Sequence, residues 1–180
     1  MDLNLVKGFL FEPKETFNKV KDSDFFDAYK YFAVLALIFS VLVSIIMASV
    51  LTVFSFLFGA AGGILASVFM FLGTFLGLLI GAPIAAAIFH IFVYIVGGRN
   101  GVVKTVNALL YASTPSLVFG WIPVIGLVAT FYSFILGVIG LREFHGLTTL
   151  KAVAAYVLAI LVFGFLALFN LISAPPSFAP

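Results

Sequence analysis

The sequence predicts an all-α fold: a polytopic transmembrane bundle of five helices with a short N-terminal amphipathic helix. The first observation is composition, since 64% of the 180 residues are hydrophobic and 9% are charged. Soluble domains are about 45–50% apolar and about 25% charged. The second is the placement of the nine Lys and Arg residues. Five membrane passes from a cytoplasmic N-terminus put all nine on the inner side, and this bias sets the orientation of membrane proteins.

The basic residues occur in groups that are separated by long stretches without formal charge. Five lysines precede residue 31. The other four are predicted inner-face anchors: Arg99, Lys104, Arg142 and Lys151. The pattern therefore predicts a multi-pass protein with its N-terminus in the cytoplasm and its C-terminus outside. Three spans would also fit these charges if the first two formed a re-entrant hairpin, but a lipid-exposed turn would leave backbone groups unsatisfied.

Residues 1–30 form the polar part of the chain and are predicted to be a cytoplasmic segment with one helix. Pro13 suits a first helical position, where its missing N–H has no partner to lose. Phe17 and Val20 then share one face, with lysines around them. This pattern predicts an amphipathic helix at the inner membrane interface. The alternative is a solvated helix that packs on the inner ends of the spans.

Residues 31–173 are predicted to be the membrane domain. The charge-free run from Tyr31 to Phe89 is too long for one crossing, which takes about 20 residues. The glycines of 59–63 permit its outer turn, and 120–123 breaks a second long run. Pro83 predicts a kink, because it removes the hydrogen bond to the Leu79 carbonyl. The predicted spans are 31–58, 64–96, 102–119, 124–141 and 152–172, and 174–180 is an outer tail.

Three glycines of the second span, Gly73, Gly77 and Gly81, recur every four residues. Small residues at this spacing allow another helix to approach closely, and such packing holds membrane helices together. We predict a helix-packing strip here. A partner helix in the same chain is favoured, and one in another copy is the alternative.

The polar residues inside the predicted spans form a candidate site. His90 is the ionisable residue deepest in a span, and such residues are functional candidates in membrane proteins. The alternative is a neutral histidine bonded to a neighbouring helix. Pro115 frees the Tyr111 carbonyl in the polar third span. That span indicates either a cavity for a small ligand or lipid head group, or hydrogen bonding around a kink. The candidate polar or ligand site comprises His90, Asn107, Tyr111, Ser113, Thr114 and Tyr132.

The sequence lacks the common signatures of enzymes and metal proteins. It contains no cysteine, no acidic residue within a span, and no nucleophile-elbow or phosphate-loop motif. Glu143 and His145 are too few to hold a metal. No catalytic residue, metal or cofactor is therefore predicted, and a membrane-embedded hydrolase is the least favoured hypothesis. Because no basic arm is present, nucleic acid is not an expected partner.

Several short motifs, in their order along the chain, resemble those of the Yip family of Rab/Ypt-interacting membrane proteins, in a compact prokaryotic-type form. In chain order, the motifs begin the N-terminal helix, form a glycine loop, interrupt the third span, end the fourth span and begin the fifth span. The residues are Pro13 and Phe17; Gly97, Gly98 and Gly101; Tyr111, Ala112 and Pro115; Gly140 and Leu141; and Lys151 and Ala152.

The resemblance implies five spans and a cytosolic N-terminus. In eukaryotes the family is associated with Golgi and endoplasmic-reticulum membranes, Rab GTPases, vesicle formation and membrane shaping. Those roles use a long cytosolic N-terminal region, and this chain has only residues 1–30 there. Small GTPase binding is therefore not expected to carry over.

Two functional hypotheses follow from the sequence. The first is a non-enzymatic Yip-type protein that organises or shapes membrane or scaffolds partners. Its expected partners are the lipid bilayer and either other membrane proteins or further copies of itself. The second is a small transporter or channel with a polar path near His90 and the third span.

Overall fold

The computed structural model describes residues 3–58 and 64–173. The predicted outer turn at 59–63 and the tail at 174–180 lie outside these residues. The described residues are helical and include no strand. The helices are α1 Leu3–Phe11, α2 Pro13–Val20, α3 Phe25–Phe58, α4 Ile64–Ile95, α5 Val102–Ala112, α6 Thr114–Phe119, α7 Pro123–His145 and α8 Thr149–Ser173.

Four of these helices, α3, α4, α7 and α8, are long and apolar enough to cross a membrane. The all-helical, multi-pass class predicted from the sequence is thereby confirmed. The predicted third span is not one helix, because Ser113 separates α5 from α6. Pro115 lacks the N–H that would continue the helical ladder. The backbone instead bridges the break through Ser113 N–H to Leu109 O, at 3.1 Å.

The other helix ends lie near the predicted boundaries, with two exceptions. α3 begins at Phe25 rather than residue 31, and the Asp24 carboxylate accepts a hydrogen bond from the Asp27 N–H at 2.8 Å. α7 continues through Arg142 to His145 and ends at Gly146, whose φ is 66°. The predicted inner loop 142–151 thus shrinks to residues 146–148. Basic side chains suit this last turn because it carries the negative end of the helix dipole.

Both carbonyl groups that lose a backbone partner to proline find a side-chain hydroxyl. The Tyr29 hydroxyl donates to the Leu79 carbonyl at 3.2 Å, next to Pro83. The Thr114 hydroxyl donates to the Tyr111 carbonyl at 2.6 Å, next to Pro115. The sequence predicted both of these unpaired carbonyls. Such compensation lets proline persist in membrane helices.

The N-terminal segment contains two helices rather than the one predicted. α1 and α2 form a hairpin, called here the N-terminal hairpin, and it packs on α6 and α7. Phe9 of α1 and Phe17 of α2 are completely buried in the same core as Tyr111. The segment therefore packs against the bundle, which agrees with the alternative of a helix that packs on the ends of the spans. Its position relative to the bilayer surface stays a prediction.

Within the described residues, the predicted glycine strip on α4 packs against no other helix. Gly73, Gly77 and Gly81 are exposed, and a Cβ atom added to any of them meets no atom within 4 Å. The described residues supply no same-chain partner for the strip, so the favoured partner stays a prediction. Other positions of α4, including Ala86 and Val93, carry its buried contacts. Another copy of the chain stays the untested alternative.

We expect Gly77→Ala and Gly137→Ala to change stability in opposite directions. At Gly77 there is room, and alanine favours a helix by up to about 1 kcal/mol. At Gly137 the new Cβ would overlap the Tyr156 hydroxyl, and the Tyr156 ring is held between Phe89 and Phe134. Overpacking of this kind costs about 1–3 kcal/mol. Thermal unfolding in detergent, followed by circular dichroism, measures the difference, and equal shifts would contradict this packing.

Candidate functional site

The predicted polar residues divide between two clusters. His90 belongs to a histidine cluster with Thr105 and His145. Asn107 and Tyr111 bond instead to the turn between the N-terminal hairpin and α3, Thr114 bonds to the start of α3, and Tyr132 bonds to the hairpin. The second group is called here the docking cluster. α5 supplies both clusters, so a single helix joins them.

The histidine cluster is centred on the hydroxyl of Thr105. Its Oγ1 lies 2.7 Å from His90 Nδ1 and 2.8 Å from His145 Nε2. The two imidazole centroids are 5.8 Å apart. Thr105 is completely buried and His145 nearly so. Three helices, α4, α5 and α7, therefore meet through three side chains.

The hydrogen bonds of the cluster have one consistent direction. The Asn100 backbone N–H donates to His145 Nδ1 at 3.4 Å, so this nitrogen acts as an acceptor. In a neutral imidazole the other nitrogen, Nε2, then carries the proton and donates to Thr105. The Thr105 hydroxyl is left to donate to His90 Nδ1. Each of these three contacts then has one donor and one acceptor, with both histidines neutral.

The glycine loop between α4 and α5 holds the cluster in place. Gly97 and Gly101 have φ of 105° and 92°, in the region that favours glycine. A Cβ on Gly98 would lie 2.5 Å from Val93 Cγ1 and 3.2 Å from His145 Nδ1. The Asn100 side-chain amide donates to the Phe144 carbonyl at 2.7 Å, which ties the loop to the last turn of α7.

Sequence reasoning did not group His145 with His90. The predicted fourth span ended at residue 141, before His145, whereas the structure places His145 in the last turn of α7. Gly146, a residue type common just after a helix end, was the available signal. Extending α7 to that glycine would have brought both histidines to the same end of the bundle.

The docking cluster fixes the chain between the N-terminal hairpin and α3. The Asn107 side-chain amide donates to the carbonyls of Ser23 and Asp24, at 3.2 and 3.1 Å. The Tyr111 hydroxyl lies 3.2 Å from the Ser23 hydroxyl. Because Asn107 and Tyr111 are buried, these contacts are made away from bulk solvent. α5 thereby holds the segment that enters α3.

Two further hydroxyl contacts extend the docking cluster. The hydroxyls of Thr114 and Tyr31 lie 3.0 Å apart. The Tyr132 hydroxyl donates to the Leu10 carbonyl at 2.9 Å, at the end of α1. Carbonyls at a helix end lack partners within the helix, so Tyr132 acts as a cap for α1. Ser113 joins neither cluster, since its hydroxyl donates to Leu110 O of its own helix at 2.7 Å.

Aromatic rings surround the docking cluster. The ring centroid of Phe9 lies 5.3 Å from that of Tyr111, 4.9 Å from Phe17 and 6.0 Å from Tyr31. Aromatic pairs at these separations contribute about 0.5–1.5 kcal/mol beyond their buried area. Phe17 also contacts Phe144, with ring centroids 6.0 Å apart. These rings make the hairpin part of the hydrophobic core.

The predicted anchors surround the end of the bundle that holds the histidine cluster. The Arg99 guanidinium lies 3.6 Å above the Tyr94 ring. Lys104 donates to the Lys21 carbonyl and lies 3.8 Å from Asp22 Oδ1. Arg142 is in the last turn of α7 and Lys151 in the first turn of α8. Which membrane side this end faces stays a prediction.

Neither cluster has the ligand set of a metal site. Across 3–58 and 64–173, no three His, Cys, Asp or Glu side chains come together in a group that could hold a metal ion. The histidine cluster offers two imidazoles and a hydroxyl, and the two rings are hydrogen-bonded to each other through Thr105 Oγ1. The arrangement suits the joining of helices more directly than catalysis.

The comparisons with known proteins give one match. The model of the Yip1 domain family matches residues 7–171. No curated protein matches significantly, and neither does any solved structure. The matched region begins in the N-terminal hairpin and ends in α8, so it includes both clusters and the glycine loop. The chain therefore belongs to the Yip1 domain family and is a multi-pass membrane protein.

Proposed function

We propose that this protein is a non-enzymatic Yip-type membrane protein that organises or shapes membrane or scaffolds partners. One observation carries the proposal: the polar side chains inside the bundle bind the protein's own segments. Asn107 and Tyr111 bind residues 23 and 24, and Tyr132 binds the end of α1. The interior therefore serves the fold, and activity belongs to the surface of the protein.

The proposed topology has five spans and a cytoplasmic N-terminus. α5 and α6 together cover 102–119, and at 1.5 Å per residue they extend about 27 Å. The hydrocarbon core is about 30 Å thick, so the pair is long enough for a fifth crossing. Five crossings keep every Lys and Arg on the inner side, which supports this orientation.

The surface of the N-terminal segment suits contact with a membrane. Leu3, Phe11 and Phe26 are 60%, 80% and 63% exposed, and lysines lie near them in the chain. Exposed apolar side chains beside lysines are typical of helices that enter the lipid interface. Insertion into one leaflet only would bias the curvature of that leaflet.

Reconstitution into liposomes tests this function. We expect the wild-type protein to change vesicle diameter or shape in electron micrographs as the protein-to-lipid ratio rises. The triple variant Leu3→Ser, Phe11→Ser, Phe26→Ser should lose the effect while it still folds, because all three side chains are exposed. Unchanged vesicles with wild-type protein, together with no co-purifying partner, would contradict the proposal.

The histidine cluster favours one alternative, a small transporter or channel. Its hydrogen bonds run in one direction across α7, α5 and α4, and such a chain can pass a proton. Proteoliposomes loaded with a pH-sensitive dye test this alternative. Proton flux that His90→Ala abolishes would support it, and an absence of flux above protein-free liposomes would exclude a proton path.

A further inference from the structure

A cavity of 440 Å³ lies between the two helices of the N-terminal hairpin. Neither the family match nor the two clusters accounts for it. Its lining combines basic, neutral polar and apolar side chains. They include Lys7, Lys19, Asn4, Thr16, Leu5 and Phe11. Phe9 and Phe17, which are buried in the core, do not line this cavity.

The walls of the cavity are held in place by contacts within the hairpin. The Thr16 hydroxyl donates to the Glu12 carbonyl at 2.8 Å, and Thr16 is 3% exposed. Gly8 faces Thr16 so closely that a Cβ at this position would overlap the threonine hydroxyl. The Glu12 N–H donates to the Gly8 carbonyl at 2.7 Å and closes the turn between the helices. A ligand would therefore meet a preformed site, which lowers the cost of binding.

The charges of the lining favour an anion. Lys7 and Lys19 contribute two positive charges and Glu12 one negative charge, so the lining carries a net charge of +1. Within the described residues neither lysine forms an ion pair. Two lysines that form no ion pair and outnumber the single carboxylate of one cavity are suited to a phosphate group.

The apolar part of the lining distinguishes a lipid from a soluble phosphate. Phe11 borders the cavity and is 80% exposed, and Leu5 is half-buried beside it. A free phosphate ion gains nothing from these side chains, whereas the glycerol and first methylene groups of a lipid would cover them. The chain is a membrane protein, so phospholipid is always present at high local concentration.

We propose that this cavity binds the phosphate group of an anionic phospholipid, with Lys7 and Lys19 as its ligands. Leu5 and Phe11 contact the glycerol and upper acyl region. The site would fix the N-terminal hairpin to one leaflet. This proposal requires the membrane location of the chain but not the membrane-shaping function, so either can fail without the other.

Native mass spectrometry of the full-length protein in detergent tests the site. Phosphatidylglycerol, phosphatidylethanolamine and phosphatidylcholine are added in turn, and glycerol 3-phosphate is the soluble probe. We expect one retained phosphatidylglycerol, with the two zwitterionic lipids and the soluble probe bound at least ~10-fold more weakly. Equal retention of the three lipids would overturn the anionic site. Equal binding of glycerol 3-phosphate would overturn its assignment to a lipid.

Two pairs of substitutions assign the binding to the cavity. The variant Lys7→Gln, Lys19→Gln should lose phosphatidylglycerol binding by on the order of 10-fold, since two charge-assisted contacts are removed. The control Lys14→Gln, Lys30→Gln removes the same charge from exposed positions outside the cavity and should bind normally. The variant Lys7→Arg, Lys19→Arg should also retain binding. Equal losses in the Gln variants, or loss in the Arg variant, would contradict the proposal.

Discussion

Replacing Phe9 with alanine should release the N-terminal hairpin from the bundle, whereas replacing Phe11 should leave it docked. Phe9 is completely buried among Tyr111, Phe17 and Tyr31, and Phe11, two residues away, is 80% exposed. Removing a buried phenylalanine side chain costs about 3–5 kcal/mol. That loss is comparable to the free energy that the aromatic and hydrogen-bond contacts of the docked hairpin contribute.

Trypsin measures the release, because Lys14 and Lys19 lie in α2. Cleavage within a helix requires that the helix open locally, so a docked α2 is cut slowly. We expect Phe9→Ala in nanodiscs to be cut after these lysines at least ~10-fold faster than wild type. Phe11→Ala is the matched control and should be cut at the wild-type rate. Similar cleavage of wild type and Phe9→Ala would show that the hairpin is not held by this contact.

Thr105→Val should destabilise the protein clearly more than Thr130→Val. Valine preserves the shape of the side chain but leaves His145 Nε2–H and His90 Nδ1 without their shared partner. A buried polar group that loses its partner costs about 1–3 kcal/mol. Thr130→Val is the matched control. Its hydroxyl bonds only to the Gly126 carbonyl of its own helix, so about 0.5 kcal/mol or less is expected.

Two measurements check this expectation. Thermal unfolding in detergent should show a clearly lower midpoint for Thr105→Val than for Thr130→Val. Nitrogen NMR of labelled histidine should show both imidazoles of the wild type as Nε2–H tautomers, with His145 altered in the variant. Equal unfolding midpoints for the two variants would mean that the histidine cluster does not join the three helices.

The long helices could be predicted because local rules decide where they begin and end. α4 ends near the glycine loop, and α7 begins at Pro123, a residue favoured at the first helical position. The length of the charge-free runs limited the number of membrane crossings. α8 begins close to Lys151, the basic residue that preceded the predicted fifth span. These signals depend on neighbours in the sequence. The single sequence therefore contained enough information to predict these helix ends.

The contacts between distant residues could not be predicted in the same way. The sequence identified Asn107, Tyr111 and Tyr132 as polar residues in spans, but not that Ser23 and Leu10 would be their partners. These pairs are separated by more than 80 residues, and only the folded bundle brings them together. The partner of the glycine strip could not be predicted for a related reason. Its spacing marks a face on which a helix can pack, but not whether that face points into the bundle.

Hydrogen exchange of the wild-type protein in lipid nanodiscs tests the central claim, that the N-terminal hairpin is a docked part of the bundle. The measurement compares backbone amides of α2 with those of α5, which lies at the centre of the fold. Peptides covering 13–20 should exchange as slowly as peptides covering 102–112, because one core holds both. Complete exchange of 13–20 while 102–112 stays protected would contradict this claim. The hairpin would then lie on the surface and contact the bundle only transiently.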